Sequence, residues 1–159
     1  MRAYGVRIAA AAFAVLFWGA FAQASDILLT VRNAGREFSV TREMLEKLPA
    51  REFEALLPGM DDRFHKVKGP LLREIVALTG WTGESISAVA IDKYETEIPM
   101  ADLDRFDVIT AMEVDGKVLT VRNKGPLWIV YPTKDHPELQ LDPIYEGRSI
   151  WQLKEIEIK

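Results

Sequence analysis

The sequence predicts a single mixed α+β domain, and three observations carry that prediction. Short β-rich runs outnumber helical patterns along the chain. The regular strand-helix alternation of a doubly wound parallel sheet is missing. The 159 residues, 48% apolar and 28% charged, have the make-up of one ordinary folded unit, with no repeat or low-complexity tract.

Residues 27–32 and 36–40 are β-rich runs around Asn33, Ala34 and Gly35, a hairpin pattern. Thr41 then caps a short helix carrying Met44, Leu45 and Leu48 and stopped by Pro49. A strand is expected over 52–57, and the polar stretch 58–68 reads as a loop. Gly69 and Pro70 are expected to open a helix in which Leu71, Leu72, Ile75 and Leu78 share one face, closed by Gly80. Residues 86–91 form a strand, and the chain then passes through 92–95 to Ile98 and Pro99. The apolar run 108–114 leads into Asp115-Gly116, a hairpin dipeptide, with 118–121 returning. Residues 127–131 are an apolar strand between prolines, 132–143 a loop, and 151–158 alternate like a half-buried terminal strand.

Residues 1–24 are not read as part of this fold. Arg2 and Arg7 precede an apolar run from Ile8 to Ala22 broken only by Gly19, and Ala22-Gln23-Ala24 supplies a small-x-small site. This is the layout of a secretory signal peptide with cleavage after Ala24; the run is short of the ~20 residues a membrane-spanning helix needs. Cleavage leaves residues 25–159 with 18 basic and 24 acidic side chains, a net charge of −6. The expectation is a periplasmic protein without a membrane anchor and without affinity for nucleic acid. The two arginines are not adjacent, so the signal is of the Sec type and the chain is expected to cross the membrane unfolded.

The chain contains no cysteine, which excludes thiolate metal sites, iron–sulfur clusters and thiol nucleophiles. His65 and His136, the only histidines, fall in polar stretches without zinc-ligand spacing and read as solvated loop residues. Asp61, Asp62, Asp135 and Asp142 do not follow a calcium-loop pattern, no nucleophile elbow is present, and Trp81, Trp128 and Trp151 read as core aromatics. No catalytic or metal-ligating residue is assigned. Arg122, Asn123, Lys124 and Gly125 stand out as a basic turn before Pro126 in an acidic protein, an arrangement suited to an anion site or simply to a charged turn between strands.

The order of motifs resembles the molybdopterin-binding domain of the sulfite oxidase family, in particular its small exported single-domain bacterial branch. The residues that carry this are Gly69 with Leu71, Leu72 and Ile75; residues 88–94 (AVAIDKY); Ile98, Pro99, Asp115 and Gly116; residues 125–132 (GPLWIVYP); and residues 149–158 around Trp151. The resemblance spans roughly 27–158 and implies a mostly β α+β fold. It also implies a cofactor pocket beside Asp92, Tyr94 and the 122–124 turn. In catalytic members a cysteine thiolate ligates molybdenum; the corresponding position falls near Leu56–Pro58 here, where there is none. Basic residues of catalytic members correspond to Trp128 and Ile150.

The resulting expectation is a non-catalytic binding or accessory module. It would use Asp92, Tyr94, Arg122, Asn123, Lys124 and Gly125 to recognise a small anionic ligand or a periplasmic or membrane sensor protein. No cofactor is expected, and molybdopterin enters only through the resemblance. The alternative is a molybdopterin-dependent oxidoreductase working without a cysteine ligand.

Overall fold

The computed structural model describes residues 26–159, so the leader expected over 1–24 and its cleavage site lie outside the described residues. Strand β1 (Ile27–Asn33) and strand β2 (Arg36–Thr41) pair antiparallel with Asn33 opposite Arg36. Their two-residue turn puts Ala34 at φ 48° and Gly35 at φ 80°, the left-handed pair that matches the right-handed strand twist. Thr41 accepts from the Met44 N–H at 3.3 Å and starts α1 (Arg42–Lys47), which stops before Pro49. Strands β3 (Ala50–Ala55) and β4 (His65–Pro70) form a second antiparallel pair, followed by α2 (Leu72–Ala77).

Strands β5 (Ser85–Ala90) and β6 (Glu95–Pro99) precede α3 (Met100–Arg105). Then come β7 (Ile109–Ala111), β8 (Glu113–Val114), β9 (Lys117–Val118), a 3-10 turn (Val121–Asn123) and β10 (Trp128–Val130). A second 3-10 turn (Pro137–Gln140), α4 (Pro143–Arg148) and β11 (Leu153–Ile158) complete the chain. The α+β class and the strand-rich balance agree with the sequence reading.

The main sheet has the order β2-β1-β11-β5-β6. The C-terminal strand β11 lies at its centre, parallel to β1 (Val31 opposite Ile156) and antiparallel to β5 (Ile156 opposite Ala88). A four-stranded sheet β3-β4-β8-β9 and the pair β10-β7 form the second layer. These two run into one another, because the Met112 N–H between β7 and β8 donates to Lys68 O on β4 at 2.9 Å. One hydrophobic cluster packs Val31, Ile86 and Ile156 against Leu72, Ile75, Phe106 and Tyr131; the other surrounds Trp128 with Val67, Ile109 and Leu119.

Several expectations need correction. Residues 58–68 are not all loop: β4 begins at His65, and His65-Lys66-Val67-Lys68 alternates between buried and exposed. Gly69 and Pro70 end that strand instead of opening a helix. A Cβ on Gly69 would meet Thr110 O at 2.0 Å, so glycine is there to let β7 approach β4. The run 108–114 breaks at Met112 into two strands, and 118–121 returns only through Val118 before the chain turns. The loop expected over 132–143 contains a 3-10 turn, and α3 and α4 were absent from the sequence reading.

Candidate functional site

Where β5 ends, the chain makes a tight loop before β6. The Ala90 N–H donates to Tyr94 O at 2.9 Å, Lys93 adopts φ 72°, and Asp92 Oδ1 accepts from the Tyr94 N–H at 3.0 Å. Asp92 thus holds its own turn with one carboxylate oxygen. Tyr94, half exposed, donates its hydroxyl to Gly147 O at 3.1 Å and ties the loop to α4. Helix α4 begins at Asp142, whose Oδ1 accepts from the Ile144 N–H at 3.0 Å, with Pro143 in the first turn.

At its other end Arg148 reaches into the core. It donates to Asp102 Oδ2 at 2.8 Å and to Glu97 O at 3.1 Å, and the Tyr131 hydroxyl donates to the same Asp102 oxygen at 2.8 Å. Burial, together with the charge of Asp102, pushes the Tyr131 phenol far above its ordinary range, so it remains a donor.

Between the loop and the helix lies a cavity of about 340 Å³ walled by Asp92, Tyr94, Glu146, Ser149, Ile150 and Trp151, with Pro58 opposite. It continues into a second hollow of about 430 Å³ along residues 56–62, the two sharing Pro58, Pro143, Glu146 and Ser149. Trp151 is held in place by an antiparallel bridge to Trp128, whose indole N–H donates to Ser149 O at 3.1 Å.

The sequence-predicted residues divide. Asp92 and Tyr94 line the cavity. Lys124 lies at its aromatic wall, with Nζ 4.0 Å from the Trp151 ring centre and 5.6 Å from that of Trp128. Asn123 is consumed by the local turn: its Oδ1 accepts from the backbone N–H and, at 2.9 Å, the hydroxyl of Thr120. Gly125 is buried, and a Cβ there would fall 2.5 Å from Leu119 Cβ, so its close approach is to the neighbouring chain segment. Arg122 is exposed and does not line the cavity.

Glu146 and Ser149, the facing wall, were missed in the sequence; the Asp142-Pro143 start of α4 is the signal that marks them. His65 is likewise misplaced by the loop reading. It is fully buried, with Nδ1 2.9 Å from Asp115 Oδ2, while Asp61 Oδ1 lies 2.6 Å from Nε2 but outside hydrogen-bonding alignment. Hydrogen bonding from His65, and then Arg63 and the Lys66 N–H, outweighs desolvation and holds the Asp115 carboxyl well below the usual range. No group of three or more His, Asp or Glu side chains among the described residues is arranged to hold a metal ion.

The fold itself has a solved counterpart. The chain is similar to the sulfane dehydrogenase SoxCD from Paracoccus pantotrophus, with a TM-score of 0.62 and 16% identity. The likeness covers 84% of this chain and 38% of that one. No family model matches the chain, and no curated protein matches it. The likeness is one of fold.

The pterin cofactor implied by the resemblance carries a phosphate and asks for cations, and its metal asks for a thiolate. The cavity presents the carboxylates of Asp92 and Glu146; among the described residues the one ammonium at its wall, that of Lys124, is stacked on Trp151; Ile150 stands where a basic residue is expected; and no cysteine exists in the chain. This donor set does not fit the group.

Proposed function

We propose that the protein is an exported, periplasmic, non-catalytic binding or accessory module: a sulfite-oxidase-type scaffold whose former cofactor cleft recognises a ligand or a partner protein, such as a membrane sensor. The observation that carries this reading is the cavity between the 90–94 loop and α4. It is walled by Asp92 and Glu146, and the chain has no thiol to offer it. Loops held by a rigid sheet are where recognition residues concentrate. Of the two partner classes, a small anion is the poorer match, because the lining carries Asp92 and Glu146 and the Lys124 ammonium at its wall is engaged with Trp151.

The test is elemental and pterin analysis of the protein purified from the periplasm. Absence of stoichiometric molybdenum and pterin, with no turnover in the presence of electron acceptors, supports the proposal. Stoichiometric molybdenum with pterin, or substrate-dependent reduction of an acceptor, overturns it. The second reading, an oxidoreductase holding molybdopterin without a protein thiolate, is favoured by the likeness to a sulfane dehydrogenase, and the same measurement decides it.

A further inference from the structure

His65 is a fully buried titratable side chain whose Nε2 has no aligned hydrogen-bond partner. It belongs to a closed circuit of four side chains. Asp115 Oδ2 lies 2.9 Å from Nδ1 and Asp61 Oδ1 lies 2.6 Å from Nε2. Arg63 joins the two carboxylates, with Nε 2.9 Å from Asp61 Oδ2 and Nη2 2.8 Å from Asp115 Oδ2. Opposite His65 in β3 stands the uncharged Ala55, and among the described residues no further charged group comes within ion-pair distance of the imidazole.

This geometry sets the proton count. Asp115 is an acceptor only: Oδ1 takes the Lys66 N–H at 3.0 Å and Oδ2 takes the Arg63 guanidinium, so Nδ1 donates to it. A neutral imidazole then has no proton left for Nε2, and its lone pair would face the Asp61 carboxylate across 2.6 Å. With both ring nitrogens protonated, the circuit holds two cations and two anions. With a neutral ring it holds one anion in excess, beside the apolar cluster of Ala55, Leu57 and Val67.

The two carboxylates are not equally held. Asp115 is fixed to β4 by its side chain and by its own N–H, which donates to Lys66 O at 2.8 Å. Asp61 stands on residues 58–64, which among the described residues make only local backbone hydrogen bonds, Met60 N–H to Leu57 O and Arg63 N–H to Asp61 O. The ionic circuit is therefore the main tie of this segment to the body, with the Lys134 ammonium 5.5 Å from the Phe64 ring centre as a lesser one. The same segment walls the hollow of about 430 Å³ and lends Pro58 to the cavity beside it.

Resting on the binding role proposed above, and naming the regulation of that same site, we infer that His65 is a proton-operated clasp for the 58–64 wall. The imidazolium holds Asp61 and keeps the wall against the body. Loss of the Nε2 proton releases Asp61, leaves Arg63 to Asp115 as the remaining ionic tether, and opens the hollow. The closed form binds one proton more than the open form, so closure is favoured as pH falls and lost as pH rises through the range in which histidine discharges, about pH 5 to 8.

The experiment is NMR of the isotope-labelled protein purified from the periplasm, from about pH 5.5 to about pH 8.5, following the ring nitrogens of both histidines and the backbone order parameters of residues 58–64. At the acid end the expected result is a doubly protonated His65 ring with order parameters near the strand value of about 0.85. At the alkaline end it is a singly protonated ring with order parameters below about 0.6, both changes sharing one midpoint. Asp61→Ala, at an exposed position that leaves Asp115 and its turn in place, is expected to give the low values at every pH, with thermal melting verifying the fold. His136→Gln removes the other histidine and is expected to leave the midpoint unchanged. A singly protonated His65 in an ordered segment at the acid end, order that does not change with pH, or a pH-dependent order that survives Asp61→Ala or vanishes in His136→Gln overturns the inference. None of these readouts needs a bound ligand or alters the molybdenum and pterin content, so failure of the clasp and failure of the binding reading are told apart.

Discussion

Arg148 and Asp102 are joined inside the protein, guanidinium to Oδ2 at 2.8 Å, and this contact anchors the helix that walls the cavity. Both side chains are almost entirely withdrawn from water, at 13% and 12% exposure. Helix α4 buries none of its own residues completely, so its position depends on this anchor and on Tyr145, which packs edge-on against Phe106 and Tyr131. Removing the cation leaves Asp102 buried with only the Tyr131 hydroxyl. Arg148→Ala is therefore expected to lower unfolding free energy by roughly 3–5 kcal/mol, read as a shift of the urea midpoint. Unchanged stability would show that α4 is held by other contacts.

The pairing of Asp115 with buried His65 predicts acid sensitivity. Asp115 also sits at φ 49° in the Asp-Gly turn, where asparagine is equally suited, so Asp115→Asn removes the charge and keeps the turn. Because folding depresses the Asp115 proton affinity, its stabilisation is complete above the unfolded value of about 3.9 and disappears as pH falls through and below it. The variant is expected to be less stable than the parent at pH 7 by about 1–3 kcal/mol, with the gap closing below about pH 4. Urea titrations at a series of pH values measure the gap; one that widens on acidification would contradict the assignment.

Ala34 occupies a left-handed conformation at φ 48° beside Gly35. A Cβ-bearing residue without a polar side chain is strained there, at a cost of about 1–2 kcal/mol. Ala34→Asn converts the turn to Asn-Gly and is expected to raise stability by roughly 0.5–1 kcal/mol. A rise in the thermal midpoint checks it, and a fall would mean that the turn is held differently.

Gly69 and Gly80 make a matched pair for testing close approach. At Gly69 a Cβ would lie 2.0 Å from Thr110 O and 2.9 Å from Ala111 Cα, backbone atoms that cannot move without parting β4 from β7. Gly69→Ala is expected to cost roughly 3 kcal/mol or more. Gly80 has φ +66° and nothing within 4 Å, so Gly80→Ala should cost only about 1–2 kcal/mol of backbone strain. Equal losses in urea melts would refute the distinction.

Elements with a self-contained signal were legible in the chain. The β1–β2 and β8–β9 hairpins announce themselves through Ala34-Gly35 and Asp115-Gly116, and the Thr41 cap marks α1. The apolar positions Leu72 and Ile75 reached the core as their spacing predicted. Elements of six residues carry less: α3 has no side-chain cap and follows Pro99 directly, so too few turns exist for a period to show. The His65-Lys66-Val67-Lys68 alternation was present, but its polar members read as a loop because the partner that makes a buried histidine tolerable, Asp115, lies 50 residues away.

By itself, the sequence determined composition, turn chemistry and the strand-rich class, because propensity, glycine conformation and capping act within a few residues. It also settled that no thiol is available to any site. Only the tertiary structure decided that β11 is central, that Asp92 and Tyr94 face Glu146 and Ser149, and that Asn123 and Gly125 serve their own turn. Each of those relations depends on which strands pair and which loops meet across the sheet, a choice made by burial of the two hydrophobic clusters and by ion pairs such as Arg148–Asp102 that close over long stretches of chain.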